Sequence, residues 1–332
     1  MTRATLKDVA AHAGVSHQTV SNVLNGHPSI RPTTRERVLS SISALDYHPN
    51  QAAKALREAR VTTLCFASFE HDPDTLSDPY RNLIQAALTA EANAQGYSLA
   101  TAFLAHDEAS LDELRQRYLQ RSIGGAVIIG TRLQAAQWER MTSWGMNVVL
   151  LDHFLPGTPH TVSADYASGM RALVAHHVAR GRRDLALVLP TRDYGSTALM
   201  RRDSFFAAAK AHGVRARHID GDWSYASGER ALLELHTSGD LPDALLGGND
   251  RMATGALSAA HGLGLSVPGD LAISGFDDFD FVQYLHPKLT TVRVPHAEMA
   301  REAARLLIAL TSGEDCVTPP PYPVSLIVRD SA

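Results

Sequence analysis

Two adjacent pairs of ionisable residues, His176-His177 and Asp277-Asp278, are the places in this chain where acid–base or metal chemistry could begin. Neighbouring histidines on a helix point in different directions and do not converge on one ion. No His-Glu-x-x-His, glycine-rich phosphate loop or Gly-x-Ser-x-Gly accompanies either pair, so neither carries the spacing that metal or nucleophilic catalysis requires. The reading is therefore a binding protein, with no catalytic residues, metal or cofactor expected. The two cysteines, Cys65 and Cys316, are too few for a disulfide framework and lack metal-ligand spacing, which suits a reducing cytoplasm.

The elements that must position any binding residues belong to a chain of ordinary globular composition, 332 residues long, 45% hydrophobic and 20% charged. That length exceeds what one core usually supports, so two or three compact units are expected. No apolar run has the length of a signal peptide or a membrane span, and no export and no membrane contact are expected. The net charge of −4 is unevenly spread. Residues 1–60 hold eight bases against four acids, net +4, which leaves −8 on the rest. A small basic head on an acidic body is what such a split suggests.

Local signals place short helices in the head. Thr5 caps a helix with Asp8 as its partner, Leu6, Val9, Ala10 and Ala13 share a face, and Gly14 ends it. Ser16 caps a second helix bearing Thr19, Val20, Val23 and Leu24, closed by Asn25-Gly26. A third capping box, Thr33 with Glu36, is expected to open a helix with Val38, Ile42 and Leu45 inward. Helix, glycine-containing turn and helix make a helix-turn-helix. After Pro49, the segment QAAKALRE is too short to be helical alone and reads as a hinge that orders against a partner. From Val61 onward, β-rich runs such as TLCFAS, GAVIIG, NVVLLD, LALVLP and LAISG alternate with amphipathic helices. This predicts two parallel sheets, each covered by helices, facing a cleft at the carboxyl ends of their strands. A helix near 297–310 and a VSLIV strand are expected to complete the lobes.

The stretch TLKDVAAHAGVSHQTVSNVLNG resembles the DNA-binding head of the lactose-repressor (LacI/GalR) family, and RPTTRERVLSSISALDYHPNQAAKAL, LLGGNDRMATGAL, LAISGFDD, HPKLTTVRV and YPVSLIVR extend the likeness over almost the whole chain. The resemblance implies an α/β protein: an all-helical helix-turn-helix head plus a two-lobed body like the periplasmic binding proteins, with doubly wound parallel sheets. It implies a head at 1–47, a hinge at 48–60, an N-terminal lobe from 61–164 and 295–323, and a C-terminal lobe from 165–294 and 324–332. Base edges would face His17, Gln18 and Asn22, with Thr19 and Ser21 on phosphates. Leu56 would wedge into the minor groove, and Thr5, Ser16, Asn25, Asn50 and Ala53 complete the implied DNA set.

For the cleft, the resemblance implies Asp152, Arg201, Asn249 and Asp277 on the effector. Carboxylates accept from hydroxyls, a guanidinium donates in a planar fork, and an amide does both. All four are expected where strands end. Trp223 corresponds to an indole lining a galactoside pocket, although core packing is an equal alternative. Arg202 adjoins Arg201 and a one-residue shift would exchange their roles. Val294 and His296 depart from the lactose repressor near the sugar, and Asp78-Pro79-Tyr80 resembles an Asn-Pro-aromatic run of other members. The implied partners are double-stranded operator DNA, a small effector of sugar type, and a second copy of the chain. A dimer is expected because no leucine heptads follow VSLIVR. The implied function is a cytoplasmic, nucleoid-associated repressor released by a sugar, with a purine-sensing corepressor mode as the alternative.

Overall fold

The computed structural model describes residues 4–24, 27–47, 61–69, 78–105, 107–130, 133–153, 158–190 and 196–332. They fall into two compact units, 1–61 and 62–332. In the first unit, α1 (Leu6–Ala13), α2 (His17–Leu24) and α3 (Pro32–Ala44) surround a small core of Val9, Ala13, Val20, Val23, Val38 and Tyr47. A reciprocal box starts α1: the Asp8 carboxylate accepts from the Thr5 amide at 2.8 Å, and the Asp8 amide donates to Thr5 Oγ1 at 3.4 Å. Gly14, at φ +61°, closes it in the left-handed conformation that glycine adopts without steric cost. The Thr33–Glu36 box does not open α3. That helix begins at Pro32, whose fixed φ and missing N–H suit the first helical position, and no side chain caps it. Val38 is buried, while Ile42 and Leu45 are half-buried.

The second unit contains two parallel sheets. In the first, β1 (Thr63–Phe69), β2 (Ser98–Leu104), β3 (Gly125–Gly130), β4 (Asn147–Leu151) and β5 (Thr161–Val162) lie in the order β2-β1-β3-β4-β5. The helices α4 (Pro79–Ala94), α5 (Glu108–Leu119) and α6 (Ala135–Ser143) connect them. The chain then crosses through α7 (Tyr166–Ala179) to a second sheet ordered β7-β6-β8-β9, built from β6 (Asp184–Leu189), β7 (Arg215–Asp220), β8 (Ala244–Gly247) and β9 (Ala272–Ser274). Its helices are α8 (Ser196–His212), α9 (Tyr225–Thr237) and α10 (Asp250–Gly262). The last helix, α11 (His296–Thr311), returns to pack on α4 and on β3 and β4. Most of β1, β3, β4, β6 and β8 is buried, as expected of strands covered on both faces.

The VSLIV segment behaves differently from the expectation. Only Ser325–Ile327 is a strand (β11), and it joins neither large sheet; it pairs antiparallel with β10 (Thr291–Arg293). Below it the chain ties into the second lobe, with Ser331 Oγ donating to the Ile273 carbonyl at 2.6 Å. Two glycines set the fit of α9 on α10. A Cβ at Gly228 would stand 1.9 Å from the Met252 carbonyl oxygen, and one at Gly255 would stand 1.9 Å from that of Tyr225. The two helices therefore meet backbone to backbone, which draws together the loops preceding them, where Trp223 and Asn249 sit. Among the described residues no helix is long and apolar enough to cross a membrane, and no cluster of metal-ligating side chains occurs.

Candidate functional site

Three buried ionisable side chains, Arg201, Asp277 and His296, and the half-buried Asp152 form a continuous series between the two sheets. Asp152 follows β4 at φ +57°, where its Oδ2 accepts from the Tyr80 hydroxyl at 3.0 Å and lies 3.6 Å from His296 Nδ1. The other ring nitrogen of His296, Nε2, is 3.3 Å from Asp277 Oδ1, which in turn is 3.5 Å from Arg201 Nη2. Side-chain exposure is 9% for Asp152, 2% for His296, 7% for Asp277 and 6% for Arg201. Burial by itself would depress the His296 pKa, but the carboxylates of Asp152 and Asp277 on either side raise it to about 9. At neutral pH the ring is therefore a cation that donates toward both acids. Burial, and next the Asp152 charge, hold the Tyr80 phenol well above its usual range, so it stays a neutral donor.

Backbone geometry separates neighbours that sequence left equivalent. Asp277 (φ +115°) and Asp278 (φ +59°) both have positive φ, and their carboxylates take different partners. Asp278 pairs with Arg293 at 2.7 Å and Arg329 at 2.6 Å, which leaves Asp277 to His296 and Arg201. Arg201 is buried, with its guanidinium over Tyr166 (4.4 Å), Phe276 (4.5 Å) and Trp223 (5.4 Å) and a hydrogen bond to the Gly248 carbonyl. Arg202 instead pairs with Asp203 at 2.9 Å nearer the surface. Contrary to expectation, Arg201 does not lie at a strand end but in the second turn of α8, from which a long side chain spans the gap. Asp152, Trp223, Asn249 and Asp277 do follow β4, β7, β8 and β9.

Asn249 caps α10, its Oδ1 accepting from the Met252 amide at 2.8 Å, while its Nδ2 donates to the Trp223 carbonyl at 3.1 Å. That bond fixes a tryptophan whose own backbone is left-handed at φ +67°. Trp223 Nε1, Asp152 Oδ1 and Arg201 Nε are buried without a hydrogen-bond partner among the described residues, whereas His296 Nδ1 faces Asp152 at 3.6 Å. An unmet buried polar atom costs about 1–3 kcal/mol, so a molecule that supplied hydrogen bonds to these three would be held the more tightly for it.

Several participants escaped the sequence. Tyr80 was visible only as the aromatic of Asp-Pro-Tyr, and His296 only as a departure from a family pattern. Tyr166 and Phe276 carried no signal, being apolar-face residues of a helix and a strand end. Asp250 also went unseen. Fully buried, it accepts from Thr291 Oγ1 at 2.5 Å and from the Phe279 amide at 2.9 Å, and burial followed by the Asp277 charge pushes its pKa well above the carboxylate range. It thereby fixes Phe279, whose ring stacks on His296 with centroids 5.8 Å apart. At the same cleft, Arg251 on α10 pairs with Asp78 at 3.4 Å, joining the two lobes a second time.

In the head, Ser16 Oγ accepts from the Thr19 amide at 3.1 Å and starts α2. His17 and Gln18 are exposed, Thr19 and Asn22 half-exposed and Ser21 buried. Gln18 Nε2 donates to Asn22 Oδ1 at 3.1 Å, one helical turn away. Asn25, Asn50, Ala53 and Leu56 lie outside the described residues.

Residues 5–50 match the family model of bacterial regulatory proteins of the lacI family, and residues 174–332 match the periplasmic binding protein-like domain. The HTH-type transcriptional regulator GalR of Salmonella typhimurium is 30% identical over 319 residues, covering 95% of this chain and 91% of that protein. The ribose operon repressor of Bacillus subtilis is 31% identical over 314 residues, covering 92% and 91%. Among solved structures, the Lac repressor dimer bound to operator and the anti-inducer ONPF superposes with a TM-score of 0.87 at 26% identity, over 99% of both chains. The complex of the transcriptional regulator CelR with cellobiose gives 0.73 at 26% identity, over 99% of this chain and 100% of that one. The helix-turn-helix head, the two-sheet α/β body and these relatives agree, and the chain belongs to the LacI family of DNA-binding transcriptional regulators and is not an enzyme.

Proposed function

We propose that this regulator is a cytoplasmic, nucleoid-associated repressor that binds a pseudo-palindromic operator as a homodimer and is released when a sugar occupies the cleft between its lobes. The observation that carries the sugar reading is the set of unmet buried polar atoms on Asp152, Arg201 and Trp223, gathered from both lobes beside an indole. Hydroxyls of a pyranose supply donors and acceptors in the required mixture, and its apolar face suits Trp223. Asp152, Arg201, Trp223, Asn249 and Asp277 are the proposed effector residues.

The proposed domain boundaries are a head at 1–47, a hinge at 48–60, one lobe from 61–164 with 295–323, and the other from 165–294 with 324–332. Packing of α11 on α4 and of the final residues on β9 supports the two crossings. In the head, His17, Gln18 and Asn22 are the proposed base readers. Thr19 and Ser21 are the proposed phosphate contacts, Thr5, Ser16 and Asn25 belong to the same DNA-binding set, and Asn50, Ala53 and the wedge Leu56 form the hinge contacts. A ligand that prefers one lobe arrangement shifts DNA affinity by the difference in its affinities for the two arrangements.

The test is retardation of the regulator's own promoter DNA by purified protein, titrated with monosaccharides, disaccharides and purines. Release by a sugar is expected. A purine that tightens the complex, with every sugar inert, would overturn the inducer reading in favour of a corepressor.

A further inference from the structure

The charge inventory of the cleft narrows the kind of sugar. Among the described residues, the acids Asp152, Asp277 and Asp78 pair across the lobes with the cations Arg201, His296 and Arg251. Each cation is already engaged: Arg201 with Asp277 and the Gly248 carbonyl, His296 between Asp152 and Asp277, Arg251 with Asp78 at 3.4 Å. Asp250 lies behind this set, fully buried and bonded to Thr291 Oγ1 and the Phe279 amide, with burial pushing its pKa well above the usual carboxylate range. Tyr80 and Tyr166 are neutral phenols for the same reason. What remains unspent is hydrogen-bonding capacity without net charge: donors on Trp223 and Arg201, and an acceptor on Asp152.

We propose that His296 is a specificity-determining residue of this cleft: bracketed by Asp152 and Asp277, it completes a charge-balanced set with Arg201 that admits an uncharged polyhydroxylated ligand and rejects its phosphorylated counterpart. A phosphate ester would bring a charge of about −1.5 to −2 beside Arg201, His296 and Arg251, each of which is already paired with a carboxylate. It would have to take one of them from a carboxylate, stranding that acid without its partner. A neutral sugar needs no such exchange. Its hydroxyls donate to Asp152 Oδ1 and accept from Trp223 Nε1 and Arg201 Nε while the four charges stay paired. The stack of Phe279 on one face of His296 and the edge of Tyr80 at 5.0 Å hold the ring where it can serve both acids. Loss of the His296 charge leaves the set one negative charge in excess, which would favour a cationic ligand instead.

This inference rests on the sugar reading, and calorimetric titration of the full-length protein separates the two. Glucose, galactose and ribose are each compared with their phosphate esters and, for the hexoses, with glucosamine and galactosamine; hypoxanthine completes the panel. A neutral sugar is expected to bind, with its phosphate weaker by about tenfold or more, since the phosphate must draw a cation away from its carboxylate. In H296Q, the neutral sugar is expected to lose about tenfold while the corresponding amino sugar gains relative to it, a change of rank that a merely structural role would not produce. A phosphate binding as tightly as its parent, or an unchanged rank order in folded H296Q, overturns the inference and leaves the sugar reading intact. Binding of hypoxanthine alone overturns both. If H296Q does not fold, the comparison on the wild-type protein still decides.

Discussion

His296 opens the helix that packs on the first sheet, yet its Nε2 lies 3.3 Å from the carboxylate of Asp277, which follows the last strand of the second. Its Nδ1 faces Asp152 of the first sheet at 3.6 Å. One imidazole thus joins acids that belong to opposite walls of the cleft. Such a bridge is worth most when the ring is charged, and burial on all sides makes it sensitive to removal of either partner.

The stability of the body should therefore depend on pH through this ring. The folded pKa of His296 is raised to about 9 from 6.5. The contribution is fully present below about 6.5 and is lost as pH rises through 9, with an upper bound of about 3 kcal/mol from the shift. Thermal melts from pH 6 to 10 should show wild type losing more stability than His296→Phe. Parallel pH profiles for the two proteins would show that the bridge contributes nothing.

The neighbouring arginines provide a sharp contrast. Arg201→Ala and Asp277→Ala should each weaken effector binding by roughly tenfold to a hundredfold, about 1.5–3 kcal/mol, while operator binding without effector persists. Arg202→Ala, whose partner is Asp203, should respond like wild type. Effector titrations of operator complexes will read this directly, and the reverse ranking of the two arginines would refute the assignment.

Close approach of α9 and α10 predicts intolerance at Gly228. A methyl group there meets the Met252 carbonyl at 1.9 Å, and backbone cannot swing aside as a side chain can. Gly228→Ala should cost about 1–3 kcal/mol and displace the Trp223 and Asn249 loops, lowering effector affinity as well. Gly262→Ala, where a Cβ meets nothing within 4 Å, is the control and should be neutral or mildly stabilising. Equal denaturation midpoints for both variants would contradict the packing argument.

The bond from Gln18 to Asn22 leaves the Asn22 amide free to donate and the Gln18 carbonyl free to accept. Such a pairing of donor with acceptor suits adenine N7 and N6, whereas guanine presents two acceptors. Selection of bound sequences from a random pool should give a pseudo-palindrome without a required guanine opposite Asn22, each satisfied pair discriminating by about 1–3 kcal/mol. A strict guanine there that persists in Asn22→Ala would show that this residue does not read the base.

Sequence by itself determined the head and the class of the body, because both rest on short-range physics. The Thr5–Asp8 box, the Ser16 cap and the Gly14 terminator act within one helical turn, and each is present as read. The alternation of β-rich runs with helices likewise dictates parallel sheets locally, strand by strand. One local signal misled: Thr33 and Glu36 have the spacing of a capping box, but Pro32 just before them already starts α3. The cleft is another matter. Asp152, Arg201, Asp277 and His296 are remote in the chain, and the choice of Arg201 over Arg202, or Asp277 over Asp278, depends on which neighbour finds a buried partner. Asp278 is taken by Arg293 and Arg329, and Arg202 by Asp203. His296 acquired its bridging position only when α11 folded back against the first sheet, since no local pattern tells a histidine at a helix start that two carboxylates will meet it there.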